Sequence, residues 1–273
     1  MNKEPIIVLP WLECLSRSFG YFLINLKMVL AIVVPGLLVV AYEALDGTPL
    51  FCSMAQIENC TAAPSAYMGV VALTTLFSAY VMVAFARFVI LKDRPRPFAF
   101  RFGVRELKVL GYQLAIDVIP GVVFGQILGA MVFYTNRHQD IWSKQLFLLV
   151  MIGLLAAMII LSRLSLVLSG AAVDNENMKL KKSFEITKGN SNKIFWGYIV
   201  MSLPIILLMT LLGVAGNLVT DSLPLRLCFS AVFLLLIYLN VAVKMSFNAH
   251  LYQYFVYFDN KRTEDAEAKA LEE

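Results

Sequence analysis

Residues 145–168 read QLFLLVMIGLLAAMIILSRLSLVL and carry a single charge, Arg163. As a helix this stretch reaches about 36 Å, enough to cross a hydrocarbon layer ~30 Å thick. Neither the period of an amphipathic helix nor the alternation of a strand is visible in it. A water-facing surface has no use for such a block, whereas lipid requires one. Lipid also offers backbone groups no hydrogen bonds, so the segment must satisfy its own as a helix.

Five further blocks of the same kind lie at 28–42, 66–91, 109–134, 194–218 and 225–247. The first is short at the end where Lys27 stands; it spans only if Leu23 and Leu26 belong to it or if the helix bends at Pro35 and Gly36. Of the 273 residues, 59% are hydrophobic and 15% charged, with a mean hydropathy of +0.73. The predicted fold is an all-α polytopic bundle of about six spans, one membrane domain over 1–258 followed by a charged tail at 259–273.

Charge between the blocks orients them. With both termini on one side, 20 of the 23 Lys and Arg residues fall on that side, leaving Arg137, Lys144 and Arg226 on the other. The positive-inside rule then predicts an inner-membrane protein with both termini cytoplasmic. The stretch KDRPRPFAFRF at 92–102 is basic and aromatic, but beside a membrane it reads as a headgroup-facing segment and not as a nucleic-acid site. Cys52 and Cys60 share the first outer loop, where an oxidising compartment would close a disulfide.

A weak threefold repeat organises the spans, with possible units at 10–95, 96–175 and 176–258. Pro35, Pro120 and Pro204 are spaced by 85 and 84 residues. Lys27, Lys108 and Lys193 precede them, and each following span ends on a cation in apolar sequence: Arg87, Arg163 and Lys244. The six spans are thus predicted as three hairpins with amphipathic interfacial helices on the cytoplasmic side. Trp11, Leu12, Leu15, Phe19, Phe22, Leu23 and Leu26 form one apolar stripe at helical spacing. Another surface helix carries Leu180, Phe184 and Thr187, capped by Asp174 or Asn177 and ended by Gly189. Its lysines Lys179, Lys181 and Lys182 are candidates for anionic lipid headgroups, each contributing roughly 1 kcal/mol near such a surface.

Chemistry is sparse. His138 and His250 stand apart, and no metal-ligand spacing, phosphate loop or nucleophile arrangement is present in the sequence. The stretches GVVFG and GVAG read as small-residue faces for close helix packing. No cofactor or metal is implied, and a non-enzymatic role is expected. Intramembrane charge is the stronger functional signal. Asp117 is predicted to pair with Arg163, or secondarily with Arg87. Alternatively Arg87, Arg163 and Lys244 converge on a polar cavity that takes an anionic headgroup or solute, or each cation separately reaches the interface.

The segment 163–190, RLSLVLSGAAVDNENMKLKKSFEITKGN, resembles a motif of the YciC-like uncharacterised bacterial inner-membrane proteins. A related motif occurs in the membrane domain attached to some glycerophosphodiester phosphodiesterases. The matching positions are Arg163, Leu166, Val167, Leu168, Ala172, Asp174, Ser183, Phe184, Thr187, Lys188, Gly189 and Asn190. Ser169 stands where the family has Pro, and Phe184 where it has Trp. The resemblance implies a multi-span membrane protein, brings no catalytic residue with it and implies no phosphodiesterase activity. The functional expectation is an accessory or membrane-organising protein that binds lipid headgroups or a membrane-protein partner at the cytoplasmic face. The alternatives are a transporter, or transporter subunit, with a cavity around Asp117 and Arg163, and a lipid-acting enzyme.

Overall fold

A computed structural model describes residues 9–39, 64–93, 102–137, 141–217 and 223–272. These residues are helical throughout apart from short turns, with no strand among them. The helices are α1 (Trp11–Ile24), α2 (Leu26–Val33), α3 (Pro64–Ile90), α4 (Val104–Gln113), α5 (Ile119–Arg137), α6 (Ile141–Ser162), α7 (Leu166–Ala172), α8 (Leu180–Ile186), α9 (Ser191–Asn217) and α10 (Leu223–Glu272). A 3₁₀ turn, Val34–Leu37, extends α2, and a π turn, Leu114–Val118, joins α4 to α5.

Five helical segments are long and apolar enough to cross a membrane: Val71–Ile90, Val104–Tyr134, Gln145–Ala172, Ser191–Ala215 and Leu227–Lys261. A sixth is available if α1 and α2 together make one span, but these bend by 73° at their junction. The bend lies at Asn25, ten residues before the Pro35–Gly36 step where the sequence suggested one. Asn25 leaves helical geometry (φ −102°, ψ 19°) and its side-chain amide donates to the Tyr21 carbonyl at 2.8 Å, a local bond that competes with helix continuation. Pro35 and Gly36 are absorbed in the 3₁₀ turn, where Gly36 lets the chain pass close to the Tyr238 ring.

The packing is uneven along the bundle. α10, 50 residues and about 75 Å long, is the hub: α1, α2, α3, α7 and α9 all rest on it. The core comprises the second half of α3 (Phe77 to Val89), all of α7, the start of α9 (Ile194 to Ile205) and α10 from Leu234 to Phe255. By contrast α5, α6 and the far half of α9 present Val122, Val123, Phe133, Leu148, Leu149, Ile152, Leu207 and Leu211 outward. Lipid is the solvent that such surfaces fit. The glycines divide accordingly. Gly197, which the sequence did not single out, lies against the Phe247 ring with no room for a methyl group, whereas Gly121, Gly125 and Gly213 of the expected packing faces have nothing within 4 Å among the described residues. GVVFG is therefore not an internal packing face, and Gly213 of GVAG meets nothing either.

α1 lies against α10 through Cys14, Leu15, Ser18 and Phe22. Ser246 Oγ donates to the Ser18 carbonyl at 2.9 Å, and Tyr21 Oη donates to the Phe88 carbonyl at 3.3 Å. Of the predicted apolar stripe, Leu15 and Phe22 face the protein while Leu12, Phe19, Leu23 and Leu26 remain exposed. The helix is apolar on two sides, one for α10 and one for its surroundings. Cys14 and Cys228 are free thiols among the described residues. The disulfide predicted for Cys52 and Cys60 concerns residues outside those described, as does His138.

Candidate functional site

The motif segment closes on itself. α6 stops at Ser162, and the next residues turn through bonds to the third residue back: Arg163 N–H to Ile160, Leu164 to Leu161 and Ser165 to Ser162. Arg163 is the first residue of this turn. Its guanidinium lies 3.5 Å from the centroid of the Phe184 ring, donates to the Phe184 carbonyl and reaches Thr187 Oγ1 at 3.3 Å. Ser183 Oγ returns a bond to the Arg163 carbonyl at 2.6 Å. Ser183 and Thr187 are fully buried, and Asn190 nearly so. Asn190 Oδ1 accepts from the Leu9 amide at 3.0 Å, and Lys193 Nζ donates to the Leu9 carbonyl at 3.2 Å. Gly189 supplies the left-handed turn (φ 84°) between α8 and α9. Lys188 is exposed.

Asp174 is also built into this frame. It is left-handed (φ 58°) at the end of α7, where its N–H bonds the Ala171 carbonyl and the Asn175 N–H bonds the Gly170 carbonyl. That pair of bonds is a Schellman ending with Asp in the position glycine usually takes. The Asp174 carboxylate pairs with Arg105, so it caps no following helix. α8 begins instead after Lys179 with no side-chain cap, and Asn177 does not serve as one either. An open cleft of about 680 Å³ adjoins the pair, lined by Phe102, Gly103, Val104, Arg105, Glu106 and Asp174. Its charges are engaged locally: Glu106 accepts the Gly103 N–H at 2.8 Å, and Arg105 holds Asp174.

The pairing predicted for Asp117 is corrected. Arg163 is committed to Phe184 and Thr187, and Arg87 to Asp93 at 2.5 Å. The cation within electrostatic reach of Asp117 is Lys244 on α10. Arg163, in the turn after Ser162, is spent on α8 and Arg87 on Asp93, which leaves Lys244 as the cation that acts on Asp117.

Asp117 occupies the π turn, the wider helical form that often accompanies functional positions. Atoms of neighbouring helices crowd around Asp117 and Lys244, yet both residues are exposed. Among the described residues neither makes an ion pair within 4.0 Å. Tyr198 of α9 is within electrostatic reach of Asp117. Its hydroxyl donates to Ser165 Oγ at 2.7 Å, Ser165 Oγ donates to the Ser162 carbonyl at 2.7 Å, and Asn248 Nδ2 donates to the Ser165 carbonyl at 2.8 Å. This polar bridge ties α9, α10 and the α6–α7 turn together.

Of the lysines expected at the headgroups, Lys182 is engaged by Asp259 at 2.7 Å. Lys181 stands 4.0 Å from Glu185 and is almost wholly exposed, and Lys179 is exposed. The sequence singles out Lys244 but not its electrostatic relation to Asp117, and it does not single out Tyr198, Ser165 and Asn248. Their only signal is the placement of polar side chains one turn from intramembrane charges. No family model, no curated protein and no solved structure matches this chain.

Proposed function

We propose that this chain is a non-enzymatic inner-membrane protein of accessory or membrane-organising type that engages lipid headgroups at the cytoplasmic face. The observation that carries this reading is α1. It is bent 73° from the helix that follows, holds α10 with one face and leaves Leu12, Phe19 and Leu23 exposed on another. A helix of that kind lies in the interface plane, its free apolar side among the acyl chains. α8 repeats the pattern with Leu180 and Phe184 exposed beside Lys179 and Lys181. In this reading both termini are cytoplasmic, and the likeness to the YciC-like proteins is one of architecture. The interlocking of Arg163, Ser183, Phe184, Thr187 and Asn190 supports a structural role for that motif.

The test is lipid selectivity of the intact protein in nanodiscs of mixed phosphatidylglycerol and phosphatidylethanolamine. Enrichment of the anionic lipid around the wild type, reduced in the triple variant Lys179→Gln, Lys181→Gln, Lys188→Gln, is expected. Equal lipid ratios around both proteins would refute headgroup engagement by this face.

A second reading, a transporter or transporter subunit, is favoured by one observation: two opposite charges, Asp117 and Lys244, are exposed within helices long and apolar enough to span a membrane. Solute-dependent uptake into proteoliposomes, abolished by Asp117→Asn, would replace the first reading with this one.

A further inference from the structure

His250 stands just beyond the last apolar block, half-buried where α1 rests on α10. Its Nδ1 lies 2.7 Å from the Ser246 carbonyl one turn back, and because a carbonyl only accepts, Nδ1 carries the proton. Nε2 is then the atom that takes a second proton, and among the described residues it makes no hydrogen bond. The ring meets Tyr21 of α1 close to edge-on, with centroids 5.7 Å apart and planes at 70°. Tyr21 is itself held on α3, its ring 5.5 Å from that of Phe88 and its hydroxyl on the Phe88 carbonyl. Ser246 completes the junction, since its carbonyl takes the imidazole while its hydroxyl holds Ser18 of α1. Three helices thus meet around one titratable ring.

The charged group of α1 within electrostatic reach of that ring is Arg17, one turn before Tyr21 and paired with Glu13 at the exposed surface. On α3, Arg87 is held by Asp93. Lys27 of α2 is exposed, Lys193 of α9 donates to the Leu9 carbonyl, and α7 carries no titratable residue. Tyr254, one turn further along α10, is half-buried. Among the described residues no carboxylate pairs with His250.

We propose that His250 is a pH-sensitive latch between α1 and α10. The neutral imidazole lies against Tyr21 and lets α1 dock. Protonation brings a charge into a half-buried site with Arg17 in reach and no carboxylate to meet it, and the new Nε2–H requires water. The Tyr21 ring returns some of this as a cation–π contact, yet a parted α1 gives both hydration and distance from Arg17. Docking is therefore complete above the titration range of the imidazole and is lost as pH falls through it, with α1 swinging on the bend at Asn25. The latch acts on α1 whichever lipid or partner its exposed Leu12, Phe19 and Leu23 meet, so it stands independently of headgroup selectivity.

The test is hydrogen–deuterium exchange of the full chain in a mild detergent at about pH 7.5 and about pH 5.5, on either side of an ordinary imidazole pKa. Labelling times are scaled for the intrinsic pH dependence of exchange. In the wild type, peptides covering Trp11–Ile24 are expected to lose protection several-fold at the lower pH, while those covering 77–89 of α3 keep theirs. In His250→Asn, whose amide can replace the Nδ1 donor and does not titrate, protection should be the same at both values. Equal protection of α1 in the wild type at both, a loss shared by α3, or the same loss in His250→Asn overturns the proposal. Should this variant fail to fold, or lack protection already at the higher pH, His138→Gln decides, because the chain has two histidines and this leaves His250 alone. Its α1 must then lose protection with the midpoint at which the single imidazole NMR signal titrates, and a midpoint clearly displaced from that titration refutes the latch.

Discussion

The guanidinium of Arg163 lies over the ring of Phe184, 3.5 Å from its centroid, and its donors end on the Phe184 carbonyl and on Thr187 Oγ1. One cation from the end of a span thus satisfies a ring face, a backbone carbonyl and a hydroxyl of a short surface helix. α8 has seven residues, too few to hold together alone in water. Tertiary bonds keep it helical, and Arg163 provides most of them, with the Ser183 bond to the Arg163 carbonyl completing the clasp.

Arg163→Ala is accordingly expected to lower stability by about 2–3 kcal/mol, the range for removing a charged hydrogen bond together with a cation–π contact. Arg163→Lys should recover less than half of that, because an ammonium lacks the planar fork that serves carbonyl, hydroxyl and ring together. Denaturant titration of the detergent-solubilised protein measures both variants. Full rescue by lysine would show that only the charge matters.

The glycines make a sharper contrast. A methyl group at Gly197 meets the Phe247 ring and one at Gly36 meets the Tyr238 ring, and both rings are fully buried. Gly197→Ala and Gly36→Ala are each expected to cost about 1–3 kcal/mol by overpacking. Gly121→Ala and Gly125→Ala meet nothing among the described residues and should be neutral, or slightly stabilising through helix propensity. Thermal melts of the four variants in one detergent decide this; a loss at Gly121 or Gly125 would reveal a contact made by something outside this chain.

Lys182 and Lys181 are neighbours with different fates. Lys182 meets Asp259 across 77 residues, tying α8 to α10, while Lys181 faces only Glu185 one turn away. Lys182→Ala should cost up to about 1 kcal/mol, the upper range for a partly exposed pair, and Lys181→Ala about half a kcal/mol or less. A double-mutant cycle with Asp259→Ala isolates the first. No coupling between Lys182 and Asp259 would remove that tie.

Much of the architecture was legible in the sequence because a membrane imposes long apolar blocks, and five of the six blocks fall in helices long and apolar enough to cross one, the sixth only if the bent α1–α2 pair counts as a span. The break after Ser162 was not legible. Residues 145–168 are apolar apart from Gln145, Ser162, Arg163 and Ser165, and no proline or glycine lies within six residues of Arg163, so nothing local announces that the helix yields there. The partners of Arg163 are distant: Ser183, Phe184 and Thr187 lie 20–24 residues downstream. Spacing along the spans therefore points Asp117 to Arg163, which the fold spends elsewhere. The π turn was equally silent, since one added residue per turn leaves an apolar run unchanged. Asn25 carries a readable signal, a polar amide beside an apolar stripe, whereas Pro35 and Gly36, the stronger helix breakers by residue type, are absorbed in a 3₁₀ turn.

Asp174 permits a test in which two physical terms oppose each other. Its left-handed backbone costs a residue with a side chain about 1 kcal/mol relative to glycine. Its carboxylate recovers part of that by pairing with Arg105, an ion pair about half exposed on both sides and therefore worth no more than about 1 kcal/mol. Asp174→Gly removes both terms and should leave stability within about half a kcal/mol of the wild type. Asp174→Ala keeps the backbone cost and loses the pair, so it should be destabilised by about 1 kcal/mol; Asp174→Asn, which tolerates the left-handed region, should fall between. The order Gly, Asn, Ala in denaturation midpoint follows from the backbone cost of the Schellman ending. If Asn and Ala were equal and both well below the wild type, the Arg105 pair and not the backbone would control this junction.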